Sequence, residues 1–255
     1  MLKGRTRAVS NFAILLVSVV TVELALRSLG TPSYVLPRPS DIVVELARSR
    51  GVLASHAAVT FSEALGGLFV ATCSSLAIAL PASVFLRARA PVSSALVLVQ
   101  STPVIALGPI LSAWMGPGIG AKVVLSGLVC LPAIATTLLA GLTNCSPEEV
   151  QLYTSMGANK FQLLRHLRLP RAVPAFFTAM SIGIPLAMLG AVVGEFVGAS
   201  HGLGFYIMTA SYYLRTDQMF SAIVVTAAGS ILTVRVVRLI RMRVSWERFE
   251  VEGLE

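Results

Sequence analysis

Charged residues are scarce in this sequence. Only 13% of the 255 residues are Asp, Glu, Lys or Arg, whereas roughly a quarter are charged in a soluble globular domain. Hydrophobic residues make up 55% of the chain, and the mean hydropathy is +0.81. This composition excludes a soluble globular domain, and the length predicts one membrane domain over residues 1–255.

Cysteines and nucleotide-binding motifs are also sparse. Cys73, Cys130 and Cys145 are scattered and lack metal-binding spacing, so we expect neither a metal site nor a cofactor. The phosphate-loop pattern G-x-x-x-x-G-K-[ST] is absent, which excludes ATP binding of that kind. The net charge is +8, but no patch of interleaved aromatic and basic residues accompanies it, so we expect no nucleic-acid partner.

Long apolar segments fill most of the chain. A helix needs roughly 20 residues to cross a hydrocarbon core of about 30 Å, and helices satisfy their own backbone polar groups there. We therefore predict an all-α membrane protein with about six transmembrane helices in a lipid bilayer, over residues 12–29, 64–86, 92–115, 121–142, 175–197 and 217–239. We also expect a short helix over 42–48, a tight loop over 87–91 and a loop over 198–215.

The basic residues predict the orientation of these spans. Six spans place both termini on one side of the membrane, and basic residues are enriched on the cytoplasmic side. Six basic residues lie on the far side: Arg27, Arg38, Arg48, Arg50, Lys122 and Arg215. Fourteen lie on the side of the termini, which we therefore expect to be cytoplasmic: Lys3, Arg5, Arg7, Arg87, Arg89, Lys160, Arg165, Arg168, Arg171, Arg235, Arg238, Arg241, Arg243 and Arg248.

The longest polar interval, residues 144–174, lies on that cytoplasmic side. Ser146 and Glu149 have the spacing of a capping box, with a proline between them at the first helical position. The short helix that follows should stop at Gly157, and Asn159 with Gln162 predicts a second capping box. We expect two short capped helices, closed by the prolines at 170 and 174.

The same interval resembles the cytoplasmic loop of permease subunits of ATP-binding-cassette (ABC) importers. That family has Glu-Ala-Ala, three residues, Gly, nine residues and Ile-x-Leu-Pro, whereas this chain has Gln-Leu-Tyr at the front and Leu in place of Ile. The resemblance implies a type I importer permease fold and a loop that fits a groove on a cytoplasmic ATP-binding subunit. The residues implied in ATPase coupling are Glu148, Glu149, Gln151, Leu152, Tyr153, Gly157, Ala158, Phe161, Leu169 and Pro170.

Three further segments resemble the nitrate, sulfonate, taurine and thiamine-precursor branch of that family: LPRPSDIVVEL, VVGEFVGASHGLGFYI and RTDQMFSAI. The resemblance implies a multi-pass permease of the bacterial inner membrane for nitrate, a sulfonate, taurine or a similar solute. A thiamine pyrimidine precursor or riboflavin is the alternative within the same machinery. The implied partners are the ATPase subunit, an extracytoplasmic substrate-binding protein and a second permease. The second permease is another copy of this chain, forming a homodimer, or a sibling permease.

Other classes of function compete with this one. A stand-alone secondary transporter would carry a charged relay at mid-membrane and an inverted repeat, and neither is evident in the sequence. The segment 198–202 matches the G-x-S-x-G pattern of a serine nucleophile, but all three histidines are expected in loops, so we do not predict an enzyme. Gly190 and Gly194 begin a four-residue glycine repeat that predicts close helix packing.

Polar residues inside spans are candidates for the translocation pathway. Gln100 and Thr102 lie in the third expected span. Glu195 is the only acid in the fifth, about one turn from its outer end, where an ionisable group is a functional candidate because lipid exposure is costly. We predict that these three residues line the pathway, with Glu195 at an outer gate. The alternative for Glu195 is that its side chain reaches the membrane interface or caps the loop at Ser200 and His201.

The topology can be tested by cysteine labelling of intact cells, in a background without the native cysteines. Because the charge count places residue 159 inside and residue 200 outside, a membrane-impermeant thiol reagent should label Ser200→Cys and leave Asn159→Cys unlabelled. Labelling of Asn159→Cys from outside would contradict the orientation.

Overall fold

The computed structural model describes residues 2–243, and this range contains helices and no strand. Arg248, counted above among the cytoplasmic basic residues, lies outside it. The helices are α1 Leu2–Ser28, α2 Pro39–Arg48, α3 Arg50–Val84, α4 Leu86–Gln100, α5 Val104–Met115, α6 Ile119–Thr143, α7 Pro147–Ser155, α8 Lys160–Leu163, a π-helical turn Leu164–Arg168, α9 Leu169–Glu195, α10 Leu203–Tyr212 and α11 Thr216–Arg243.

Several of these helices are long and apolar enough to cross a membrane. Between residues 2 and 243 four stretches meet that requirement, and a fifth span results if two helices bent by 93° count as one. The four are Arg50–Val84, Ile119–Thr143, Lys160–Glu195 and Thr216–Arg243. They confirm the expected helices over 64–86, 121–142, 175–197 and 217–239, although the first and third begin earlier than expected.

The third expected span, residues 92–115, is not one continuous helix. It is divided into α4 and α5 by residues 101–103. Pro103 has no backbone N–H and disfavours helical geometry in the residue before it. The hydroxyls of Ser101 and Thr102 bond to carbonyls of the preceding turn, at 2.9 and 3.2 Å. The predicted loop over 87–91 is also wrong, because α4 begins at Leu86 and includes those residues.

The core of the bundle is formed by α3, α6 and α9, which approach closely through small residues. Gly67 of α3 lies against Ser126 and Gly127 of α6. Gly190 of α9 lies so near α6 that an added Cβ would be 2.6 Å from Ser126 Cα. Gly194 packs on α6 as well, so the predicted glycine packing is confirmed for these two positions within one chain.

Two features of the far end of the bundle differ from expectation. The segment 198–215, expected to be a loop, contains the ten-residue helix α10. His56, expected in a loop, lies in the second turn of α3, which starts at residue 50. Helix α10 is too short to resemble a span, whereas His56 is helical because α3 extends beyond the apolar segment expected at 64–86.

We expect Gly190→Leu to lower the free energy of unfolding by about 1–3 kcal/mol, because the added side chain separates α9 from α6. Unfolding in detergent, followed by circular dichroism, measures the change. Gly51→Leu is the matched control, since no atom lies within 4 Å of the Cβ position at that helical glycine. Equal losses in the two variants would contradict the proposed role of close packing.

Candidate functional site

The loop between α6 and α9 is built from two local capping boxes, as predicted. In the first, Glu149 N–H donates to Ser146 Oγ at 3.2 Å, and Ser146 N–H donates to Glu149 Oε2 at 3.1 Å. In the second, Gln162 N–H donates to Asn159 Oδ1 at 2.9 Å, and Asn159 N–H donates to Gln162 Oε1 at 2.8 Å. Gly157 joins the two helices with a φ of +80°, a conformation in which a side chain is penalised.

The loop does not close at its prolines, which is a correction to the sequence prediction. Helical structure runs without a break from Lys160 to Glu195. Pro170 and Pro174 lie inside it. The π-helical turn Leu164–Arg168 precedes Pro170 and widens the backbone there, which relieves the clash between the proline ring and the preceding turn.

Side-chain contacts attach the loop to the bundle. Arg168 is buried and donates to the carbonyl of Ser83, near the end of α3. Arg171 of α9 forms an ion pair with Glu149 of α7. Just before α7, partial burial raises the pKa of the Cys145 thiol, so this cysteine stays protonated at neutral pH.

The loop exposes apolar side chains. Leu152 is 59% exposed, Met156 77% and Phe161 68%. Tyr153 and Ala158 are partly buried beside them, while Glu148, Gln151 and Gly157 are exposed and Leu169 and Pro170 lie at the start of α9. Apolar groups grouped on a polar segment indicate a protein-binding surface.

A buried polar cluster lies at the opposite end of the bundle, around Glu195. This side chain is 1% exposed. Its Oε1 accepts a hydrogen bond from Thr60 Oγ1 at 2.7 Å, and its Oε2 accepts one from Gly204 N–H. Leu203 N–H donates to Thr60 Oγ1 at 2.7 Å, and Gly202 N–H donates to His56 Nδ1 at 2.9 Å.

A buried ion pair adjoins this cluster. Lys122 Nζ of α6 lies 3.3 Å from Glu63 Oε1 of α3, and their side chains are 10% and 1% exposed. Glu63 Oε2 has no hydrogen-bond partner among residues 2–243. The sequence did not predict this pair, because the charge count places Lys122 at the outer end of the expected span over 121–142 without assigning it an acid. The available signal was an acid and a base at the same end of two neighbouring spans.

The three predicted pathway residues do not form one group. Gln100 and Thr102 are exposed at the break between α4 and α5. Glu195 is enclosed, and within the described part of the chain no hydrogen bond links it to either of them. The structure instead groups Glu195 with His56 and Thr60.

A family model described as "Binding-protein-dependent transport system inner membrane component" matches residues 71–246, more than half of the chain. The chain belongs to this family. It is a multi-pass permease of the inner membrane, and its relatives are transport proteins rather than enzymes.

Named relatives support this assignment. The permease is 35% identical over 227 residues to the riboflavin transport system permease of Chloroflexus aurantiacus, covering 86% of this chain and 82% of that protein. It is 32% identical over 206 residues to the formylaminopyrimidine transport permease of Halalkalibacterium halodurans, covering 80% and 82%. It is 26% identical to the taurine transport system permease of Escherichia coli, covering 94% and 89%.

The fold matches that of solved ABC importers. An inward-facing structure of the MetNI methionine ABC transporter aligns with a TM-score of 0.58 at 20% identity, covering 76% of this chain and 92% of that chain. The predicted type I importer permease fold is therefore confirmed.

We expect Glu195→Ala to destabilise the permease by about 1–3 kcal/mol, because the buried Thr60 hydroxyl and Gly204 N–H each lose an acceptor. Glu195→Gln should cost less, since its amide oxygen still accepts one of these bonds. Thermal unfolding in detergent compares the two variants. An equal unfolding midpoint for Glu195→Ala and the parent would contradict the stabilising role of the Glu195 hydrogen bonds.

Proposed function

We propose that this permease forms the translocation pathway of an ABC importer and is driven by a separate ATPase subunit through the loop between α6 and α9. The observation that carries the proposal is the exposure of the apolar side chains of Leu152, Met156 and Phe161 on a segment whose two short helices have capping boxes. A surface of this kind fits a groove on a folded partner.

The contacts of the loop explain how movement of the ATPase would reach the bundle. Arg168 connects the loop to α3, and the ion pair of Glu149 with Arg171 connects α7 to α9. Helices α3 and α9 form the bundle core together with α6. A displacement of α7 is thus transmitted to two core helices, and the π-helical turn and prolines of α9 are points where the bundle can bend.

Two further partners complete the proposed importer. A substrate-binding protein delivers the solute on the side opposite to the loop, in keeping with a family of binding-protein-dependent transport components. A second permease copy, in a homodimer, completes the pathway. The homodimer is supported by the exposed apolar side chains of α4 and α5, including Leu98, which is 71% exposed, and Ile105, which is 69% exposed.

For the substrate we propose a small heterocyclic solute, a thiamine pyrimidine precursor or riboflavin. The support is the higher identity to the riboflavin and formylaminopyrimidine permeases, 35% and 32%, than to the taurine permease, 26%. We therefore propose this alternative in preference to nitrate, sulfonates and taurine.

The test is uptake by proteoliposomes that contain the permease and its ATPase, with the binding protein outside. We expect ATP-dependent uptake of formylaminopyrimidine or riboflavin, and no uptake when the ATPase is omitted. Uptake of taurine alone would overturn the substrate proposal, and uptake without the ATPase would overturn the ABC mechanism.

We expect Gly157→Leu and Ala158→Asp to abolish copurification of the ATPase while the permease stays in the membrane. The leucine strains a residue with a φ of +80°, which costs about 1 kcal/mol, and the aspartate introduces a charge beside the apolar surface.

Gly116→Leu is a matched control, because Gly116 has a φ of +81° and, like Gly157, no atom within 4 Å of its Cβ position. Gly116→Leu should introduce the same backbone strain, and the ATPase should still copurify with this variant. Normal copurification and transport in both loop variants would refute the coupling role.

A further inference from the structure

The first residues of α10 are capped by side chains from other helices. The N–H groups of Gly202, Leu203 and Gly204 are bound by His56, Thr60 and Glu195, respectively. The first four N–H groups of a helix have no partner within it, and the positive end of the helix dipole favours a carboxylate. In contrast, α7 and α8 are capped by residues of their own segments. The first turn of α10 is therefore held by side chains of α3 and α9.

The glycines in the first turn of α10 are also required for these contacts. Gly202 has a φ of +113°, and a Cβ there would collide with the Glu195 carboxylate. A Cβ at Gly204 would collide with the carbonyl of Val192. Backbone without side chains is thus needed for the carboxylate to reach the N–H groups of α10.

The hydrogen bonds that attach the first turn of α10 can be broken at a modest cost in free energy. A hydrogen bond contributes little net stability when water can replace the lost partner. An attachment of this kind suits an element that alternates between two positions.

The flanks of α10 and the space beside it allow such movement. Gly198 and Gly202 on one side have φ values of +68° and +113°, and Leu214 on the other has +55°. The chain turns at these positions, and hinges are formed by loop or element-terminal residues of this kind. An open surface pocket of about 300 Å³ lies between the end of α9 and α10, lined in part by Phe196, Phe205 and Met208.

We propose that α10 is a movable element at the extracytoplasmic end of the pathway, and that His56, Thr60 and Glu195 are positioning residues that hold it closed. The proposal rests on the proposed function, in which the loop after α6 faces the ATPase and the end at Glu195 faces the binding protein. Release of α10 from these three residues would accompany opening of that end, and their hydrogen bonds would re-form on closure.

A cysteine beneath α10 tests this movement. Leu53 of α3 is 2% exposed and packs in one apolar cluster with Leu203 of α10. Leu53→Cys is made with Cys73 and Cys145 replaced, and Cys130, which is 0% exposed in α6, is retained as an internal control. Labelling by a membrane-impermeant thiol reagent is measured in the reconstituted importer with and without turnover.

We expect turnover to raise the labelling rate of Leu53→Cys by about tenfold, as local opening exposes it, while Cys130 stays protected. An unchanged rate in an importer that transports solute would overturn the proposal. Labelling of Cys130 in parallel would also overturn it, because the opening would then not be local to α10. Absence of transport in the parent would instead count against the proposed function.

A second comparison tests the positioning role without turnover. Thr60→Val removes the hydroxyl that joins Leu203 to Glu195, whereas Thr60→Ser retains it. Thr60→Val should raise the labelling rate of Leu53→Cys by about tenfold at rest, and Thr60→Ser should leave it unchanged. Equal rates in the two variants would overturn the role assigned to Thr60.

Discussion

Backbone polar groups cannot be left unsatisfied in a hydrocarbon environment, and this constraint determines most of the structure. It requires continuous helices, and it leaves helix contacts to depend on close packing rather than on the hydrophobic effect. Gly67, Gly127 and Gly190 permit that packing between α3, α6 and α9. The three helices form a core in which even a single added methyl group would meet the neighbouring backbone.

The same constraint concentrates the functional chemistry where helices begin and end. In the loop between α6 and α9, Ser146 and Asn159 cap their helices locally, so each short helix is stabilised within its own segment. At the other end, α10 takes its caps from His56, Thr60 and Glu195. A locally capped element is suited to transmit a force as a unit, whereas one that is capped from neighbouring helices changes position when those helices move.

This difference explains how much could be predicted from the sequence. Local signals were sufficient for the two capping boxes, for the turn at Gly157 and for the long apolar helices. The bend between α4 and α5, the π-helical turn before Pro170 and the burial of Lys122 with Glu63 depend on contacts between distant segments. A charge count treats Lys122 as a residue in water, although an acid from another helix is what makes its burial possible. Helix α10 was missed because its ten residues are too short to resemble a span.

A single continuous helix connects the two ends. The stretch Lys160–Glu195 has 36 residues, which corresponds to about 54 Å at 1.5 Å per residue. Arg171 near its start pairs with Glu149 of the loop, and Glu195 at its end binds the first turn of α10. A tilt or rotation of this helix would therefore move Glu195 relative to His56 and Thr60, which belong to α3. Because all three residues bind consecutive N–H groups of α10, even a small relative displacement of α3 and α9 would prevent them from binding together.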